Sequence, residues 1–140
     1  MRDVMQAVFD QEIMKAARAC VSLPAIAQDI PRYVIDNPLC GDQVTWGWVA
    51  QDKPHYVVKV RGCALCQASA FWAYEHMQAH TEIADILAKA QAMLDGKGNA
   101  PAPFSAFAPV TLLLARHSCV LLPLQGLVEF MAENSCDHHS

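Results

Sequence analysis

The sequence predicts an α+β fold in a single domain: a small antiparallel sheet of about three strands covered by helices. Three observations predict it. Stretches 43–50 and 55–61 alternate apolar and polar residues, and the turn Gln51-Asp52-Lys53-Pro54 joins them, which is the pattern of a hairpin with one buried face. Before and after the hairpin the apolar spacing changes to three and four residues, which is helical. At 140 residues, 54% of them apolar, the chain can bury its own core without disulfides or a structural metal. A metal-binding pattern in such a chain points to function more than to folding.

Taken in order, residues 3–21 place Met5, Phe9, Ile13, Ala16 and Cys20 on one face and Asp10, Gln11, Lys15 and Arg18 on the other, an amphipathic helix. Cys20 lies on the apolar face, so it reads as a small core hydrophobe. Pro24 and Pro31 exclude a regular helix between them. Residues 32–36 are β-rich and suit a short edge strand, after which the Asn37-Pro38 turn delivers Cys40. In the hairpin Val44, Trp46 and Trp48 share a face, as do Tyr56, Val58 and Val60, while His55, in phase with Lys59 and Arg61, reads as solvated.

After Gly62 the pattern becomes helical, and the small Ala64, Ala68 and Ser69 allow that helix to lie close to the sheet. Thr81, beside Glu82, reads as the N-cap of a helix that buries Ile83, Ile86, Leu87, Ala90 and Leu94 and ends at 95–99. Residues 100–108 form a connector pinned by Phe104 and Phe107, and 110–115 pack inward. A last helix is expected over 118–133, with Ser118 capping it, Leu121, Leu124, Val128 and Met131 buried, and Pro123 tolerable only near its first turn. The domain is read as 1–134, and 135–140, with Cys136, His138 and His139, as a disordered tail rather than a metal site.

Composition removes several function classes. A net charge of -4 with Lys and Arg scattered singly offers no hold for a phosphate backbone, so nucleic acid is not an expected partner. The most apolar stretch, 110–131, is interrupted by Arg116, His117, Ser118, Pro123, Gln125 and Glu129, so no membrane span is expected. No secretory signal precedes the six cysteines, which favours a cytoplasmic location and metal or sulfur chemistry over disulfides.

The chemistry concentrates in three stretches: Cys40-Gly41-Asp42, Arg61-Gly62-Cys63-Ala64-Leu65-Cys66 and Arg116-His117-Ser118-Cys119. Cys63 and Cys119 each fall at an expected helix start, where unpaired N–H groups and the helix dipole favour a thiolate. Cys40 lies in a turn, with Gly41 permitting tight geometry and Asp42 offering an oxygen. Cys40, Asp42, Cys63 and Cys119 are therefore expected to converge on one metal site. Three thiolates and a carboxylate suit tetrahedral Zn²⁺, or an iron–sulfur cluster made labile by one harder ligand. The pair Cys63 and Cys66 also has thioredoxin-like spacing, but an antiparallel hairpin precedes it instead of a βαβ unit. Cys66 reads as a core residue ahead of a ligand.

These stretches carry a resemblance. Residues Asn37-Pro38-Leu39-Cys40-Gly41-Asp42, Gly62-Cys63-Ala64-Leu65-Cys66-Gln67-Ala68-Ser69-Ala70 and Arg116-His117-Ser118-Cys119, in that order along a hairpin-then-helices chain, resemble the U-type iron–sulfur cluster scaffold proteins, the family of IscU, SufU and the N-terminal domain of NifU. The similarity extends over roughly 5–131. It implies a scaffold and carrier, not a catalyst, that accepts sulfur from a cysteine desulfurase, binds iron, assembles a transient [2Fe-2S] cluster and passes it to apo iron–sulfur proteins. It also implies Cys40, Asp42, Cys63 and Cys119 as ligands and Cys119 as sulfur acceptor. The family commonly has His or Lys immediately before its last cysteine; here Ser118 stands there and His117 one place earlier, which leaves His117 and Cys66 as further candidate ligands. Hydrogen bonding to Asp42 is the alternative role for His117. The alanine-rich helix with Cys66 and Trp72 marks a divergent member. Two alternatives stay open: a zinc-containing sulfurtransferase that activates the desulfurase, and a metal-free SufE-like acceptor in which Cys40 alone is essential.

Overall fold

A computed structural model describes residues 10–78 and 82–138. Asp10 opens helix α1, Gln11–Val21: its backbone is extended (φ -67°, ψ 171°) and its carboxylate accepts the Ile13 N–H at 3.0 Å. This helix therefore starts at Gln11; residues 3–9 of the expected helix, with Met5 and Phe9, lie outside the described residues. Ile13, Ala16, Ala17 and Cys20 are buried as the periodicity requires. Burial pushes the Cys20 thiol up to about 11, which keeps it a neutral packing group.

Three antiparallel strands follow, β1 (Arg32–Asn37), β2 (Asp42–Val49) and β3 (His55–Arg61), in the order β1-β2-β3. As expected, β1 is an edge strand. Trp46 pairs with Tyr33 on one side and Val58 on the other, and Val44 and Trp46 are fully buried. The second face of the sheet is not bare. A Cβ on Gly47 would come within 3.0 Å of Ile30 Cδ1 and 3.2 Å of Ile26 Cγ2, so the proline-bounded segment lies over that face.

The helical layer is α2 (Ala64–Gln78), α3 (Ile83–Leu94) and α4 (His117–His138), with 3-10 turns at Phe104–Leu112 and Leu114–Arg116. Glu82 occupies the N-cap position of α3; Thr81 lies outside the described residues. At the other end Gly96 takes φ +77°, the Lys97 N–H reaches the Ala92 carbonyl at 2.8 Å and the Gly96 N–H reaches that of Met93 at 3.0 Å, a Schellman stop. The segment expected as a connector plus an apolar run is instead mostly 3-10 helix. Phe104 and Phe107 are fully buried in it, with ring centroids 6.1 and 5.1 Å from that of Trp72.

Helix α4 departs most from expectation. It starts at His117, so Ser118 is inside the first turn rather than capping it, and it runs to His138, into the stretch read as a tail. Pro123 sits within it, beyond the first turn, where its ring removes the N–H that would bond the Cys119 carbonyl. Tertiary packing overrides that cost. The Trp46 indole N–H donates to the Pro123 carbonyl at 2.9 Å, and Gly126 lets the helix lie on β1, since a Cβ there would be 2.6 Å from Ile35 Cγ2. Ser69 of α2 donates to the Val120 carbonyl at 2.5 Å, tying the two helices together. Among the described residues no helix is long and apolar enough to cross a membrane.

Candidate metal centre

The three thiol stretches meet at one end of the sheet. Asn37 and Asp42 are register partners where β1 turns into β2, and β3 ends beside them at Arg61 before passing through Gly62 into α2. The turn between Asn37 and Asp42 is built on Asn37. Its side-chain oxygen accepts the Leu39 N–H at 3.0 Å, and its backbone carbonyl accepts those of Cys40 at 3.3 Å and Gly41 at 2.9 Å. Gly41 takes φ +75°, which a side chain would resist. Cys40 is thereby left exposed. Asp42 is in phase with Val44 and Trp46, so it turns inward and is only 3% exposed.

The Asp42 carboxylate is fixed from the α2 side. Its Oδ1 accepts the Cys63 backbone N–H at 3.1 Å, and Cys63 Sγ lies 3.9 Å from Oδ2. Gly62 makes that approach possible, because a Cβ there would fall 2.5 Å from Asp42 Oδ1. Cys119, in the first turn of α4 and 1% exposed, completes the cluster: ligand atoms of Cys40, Asp42 and Cys119 all lie within 4.8 Å of one another. Cys63 adjoins these three through Asp42 and through a thiol hydrogen bond with Cys119.

The electrostatics divide the two helix-start thiols. The Cys119 S–H donates to Cys63 and brings the Cys63 thiol down to about 6, against burial and the nearby Asp42 charge. That same donation, then burial and the contact with Asp42, push Cys119 up. The contact between the two sulfurs thus favours the ionised form at Cys63 and the protonated form at Cys119, where position at a helix start alone lowers both. The Arg116 guanidinium, at the surface, hydrogen-bonds both sulfurs and is itself held above its usual range by them.

The remaining described candidates are not among the three donor atoms that converge. Cys66 is fully buried in the core, and burial pushes its thiol up. The His117 ring donates through Nε2 to the Thr111 carbonyl at 3.2 Å, which holds it on the 3-10 segment rather than on Asp42. His55 is bonded at the surface to the Lys53 carbonyl, 2.7 Å away. The side chains of Cys136, His138 and His139 lie outside those described.

Sequence reasoning passed over three residues: Asn37, read only as a turn; Gly62, read only as a strand–helix boundary; and Ser118, read as a cap. An Asn before Pro at a strand end signals side-chain bonding to the turn backbone, so half of the Asn37 role was available. Its second bond, from Nδ2 to Ser118 Oγ at 2.7 Å, depends on the tertiary fold.

No protein-family model matches the chain, and no curated protein matches it by sequence. Solved structures do match its fold. It is similar to a nitrogen-fixing NifU-like protein (N-terminal) from Brucella abortus, with TM-score 0.77 and 21% identity over 93% of this chain and 96% of that one. A second is a protein from the thermophile Fervidobacterium islandicum AW-1 named as an iron–sulfur cluster assembly scaffold for the SUF system, with TM-score 0.70 and 22% identity over 87% of this chain and 95% of that one. The three-stranded antiparallel sheet covered by helices is therefore a NifU-like fold.

Proposed function

We propose that this chain is a cytoplasmic iron–sulfur cluster assembly scaffold of the U-type family. It takes sulfur from a cysteine desulfurase, binds iron, and holds a transient [2Fe-2S] cluster on Cys40, Asp42, Cys63 and Cys119 before passing it to apo-proteins. The observation that carries this reading is the convergence of Cys40, Asp42 and Cys119 within 4.8 Å, with Cys63 beside Asp42. The donor set fits such cargo: soft sulfur binds iron, and one carboxylate oxygen leaves the cluster easier to release. The likeness in fold to two proteins named as NifU-like and as a scaffold supports it.

Sulfur transfer needs a thiolate that attacks the outer sulfur of the desulfurase persulfide. The S–S bond breaks, the desulfurase cysteine leaves as a thiolate, and the acceptor carries the new persulfide. The resemblance assigns that role to Cys119. Cys119 is buried and Cys63 half-buried, and their contact lowers the Cys63 thiol and raises that of Cys119, which makes Cys63 the second candidate for first acceptance beside Cys119.

Close packing of three donor atoms also suits a single zinc ion, which favours the desulfurase activator as the second reading. Anaerobic protein supplied with ferrous iron, cysteine, a desulfurase and a thiol reductant, which supplies the electrons that turn persulfide sulfur into sulfide, is expected to develop visible cluster absorption, and to lose it in Cys40→Ser, Cys63→Ser and Cys119→Ser. Absorption absent in the wild type, with about one zinc per chain and a faster desulfurase, selects the activator. Neither metal nor absorption, with only Cys40 essential, selects the SufE-like acceptor.

A further inference from the structure

We propose that Asn37 is a positioning residue for this site: acting through the Ser118 hydroxyl, it ties the Cys40 turn to the start of α4 and sets the Cys40–Cys119 separation before any metal arrives. The inference rests on the metal-site reading and concerns how the site is held ready.

Residues 38–41 are all exposed, Leu39 at 95%, so no buried side chain anchors the turn that carries Cys40. Asn37 is the half-buried residue at its base, and both ends of its amide are engaged. The oxygen accepts the Leu39 N–H at 3.0 Å, which shapes the turn; Nδ2 donates to Ser118 Oγ at 2.7 Å, which attaches the turn to a helix 81 residues away. Ser118 immediately precedes Cys119. One side chain therefore spans the backbone of the exposed thiol and that of the buried one. An untethered turn would have to be ordered when metal binds, and that cost would appear as lost affinity. Outer-shell partners of this kind typically contribute about 10- to 100-fold in metal affinity.

Ser118→Ala isolates the tie, because it leaves the bonds within the turn intact. Zinc affinity measured by competition with a chromophoric chelator is expected to fall about 10-fold in Ser118→Ala, to be retained in Ser118→Thr, and to be no lower in Asn37→Ala/Ser118→Ala than in Asn37→Ala. Circular dichroism establishes that each variant is folded. A metal-free readout uses phenylarsine oxide in a Cys63→Ser background, with the bridged pair identified by peptide mass. Arsenic joins the Cys40 and Cys119 sulfurs, and the two thiol protons leave with its oxygen as water. Bridging of that pair is expected to weaken severalfold with Ser118→Ala. Unchanged zinc affinity together with unchanged bridging overturns the tie while leaving the metal site standing. Tie-dependent bridging in a protein that binds no zinc or iron supports the tie and overturns the metal site.

Discussion

Gly62→Ala is expected to weaken metal binding on the order of 100-fold and to cost about 1–3 kcal/mol of stability. The physical reason is local. Gly62 precedes Cys63, and an added Cβ would lie 2.5 Å from Asp42 Oδ1 and 2.9 Å from its Cγ. Asp42 is buried at the first position of β2 and accepts the Cys63 N–H, so it has little room to retreat. Gly62 is not a positive-φ glycine, so the effect comes from contact and not from backbone strain. That gives the prediction a second arm: in an Asp42→Gly background the carboxylate and the Cβ that would lie 3.2 Å away are both gone, and the stability cost of Gly62→Ala should largely vanish. Thermal melts and chelator competition on the four proteins of that cycle measure both effects. A cost that persists without the carboxylate contradicts this account.

The second large effect is a shift in the titration of Cys63. With a thiol lowered from 9.0 to about 6, Cys63 is ionised above about pH 6 and protonated below it, so its rate of alkylation should rise through about pH 6 and level off by pH 7. Cys119→Ala removes the S–H donor that lowers it, and the midpoint should move up by more than one unit toward the ordinary value. Rates at a single pH are a poor guide, because a less acidic thiol is also a stronger nucleophile once ionised and the two effects partly cancel. The midpoint is the diagnostic, followed by mass spectrometry of the Cys63 peptide. A midpoint that stays near pH 6 in Cys119→Ala would show that helix position alone sets the thiolate.

Much of this arrangement is legible from residue patterns because strand alternation is a strict signal. Val44, Trp46 and Trp48 define the inward face of β2, and counting back by two puts Asp42 on that face, aimed at the end of the sheet where the helices begin. The order of the thiol stretches along hairpin and helices carries the rest of the site. What was not legible depends on contacts between distant residues. Pro123 and Gly126 argue against a helix by propensity, yet both lie in α4, where the Trp46 indole bonds the backbone carbonyl of Pro123 and the close approach to Ile35 requires Gly126. The segments over Gly47 and before His117 carry no period that distinguishes a covering loop or a 3-10 turn from an irregular connector. The division of protons between Cys63 and Cys119 follows from their meeting in space, which spacing in the chain does not encode.

The most direct test is the zinc-edge X-ray absorption spectrum of the protein loaded with one equivalent of zinc. The account predicts a shell of about three sulfurs at roughly 2.3 Å and one oxygen at about 2.0–2.2 Å. Each of Cys40→Ser, Cys63→Ser and Cys119→Ser should remove one sulfur from it. A shell of nitrogen and oxygen alone, or a sulfur count unchanged by all three substitutions, contradicts the claim that these distant stretches form one site.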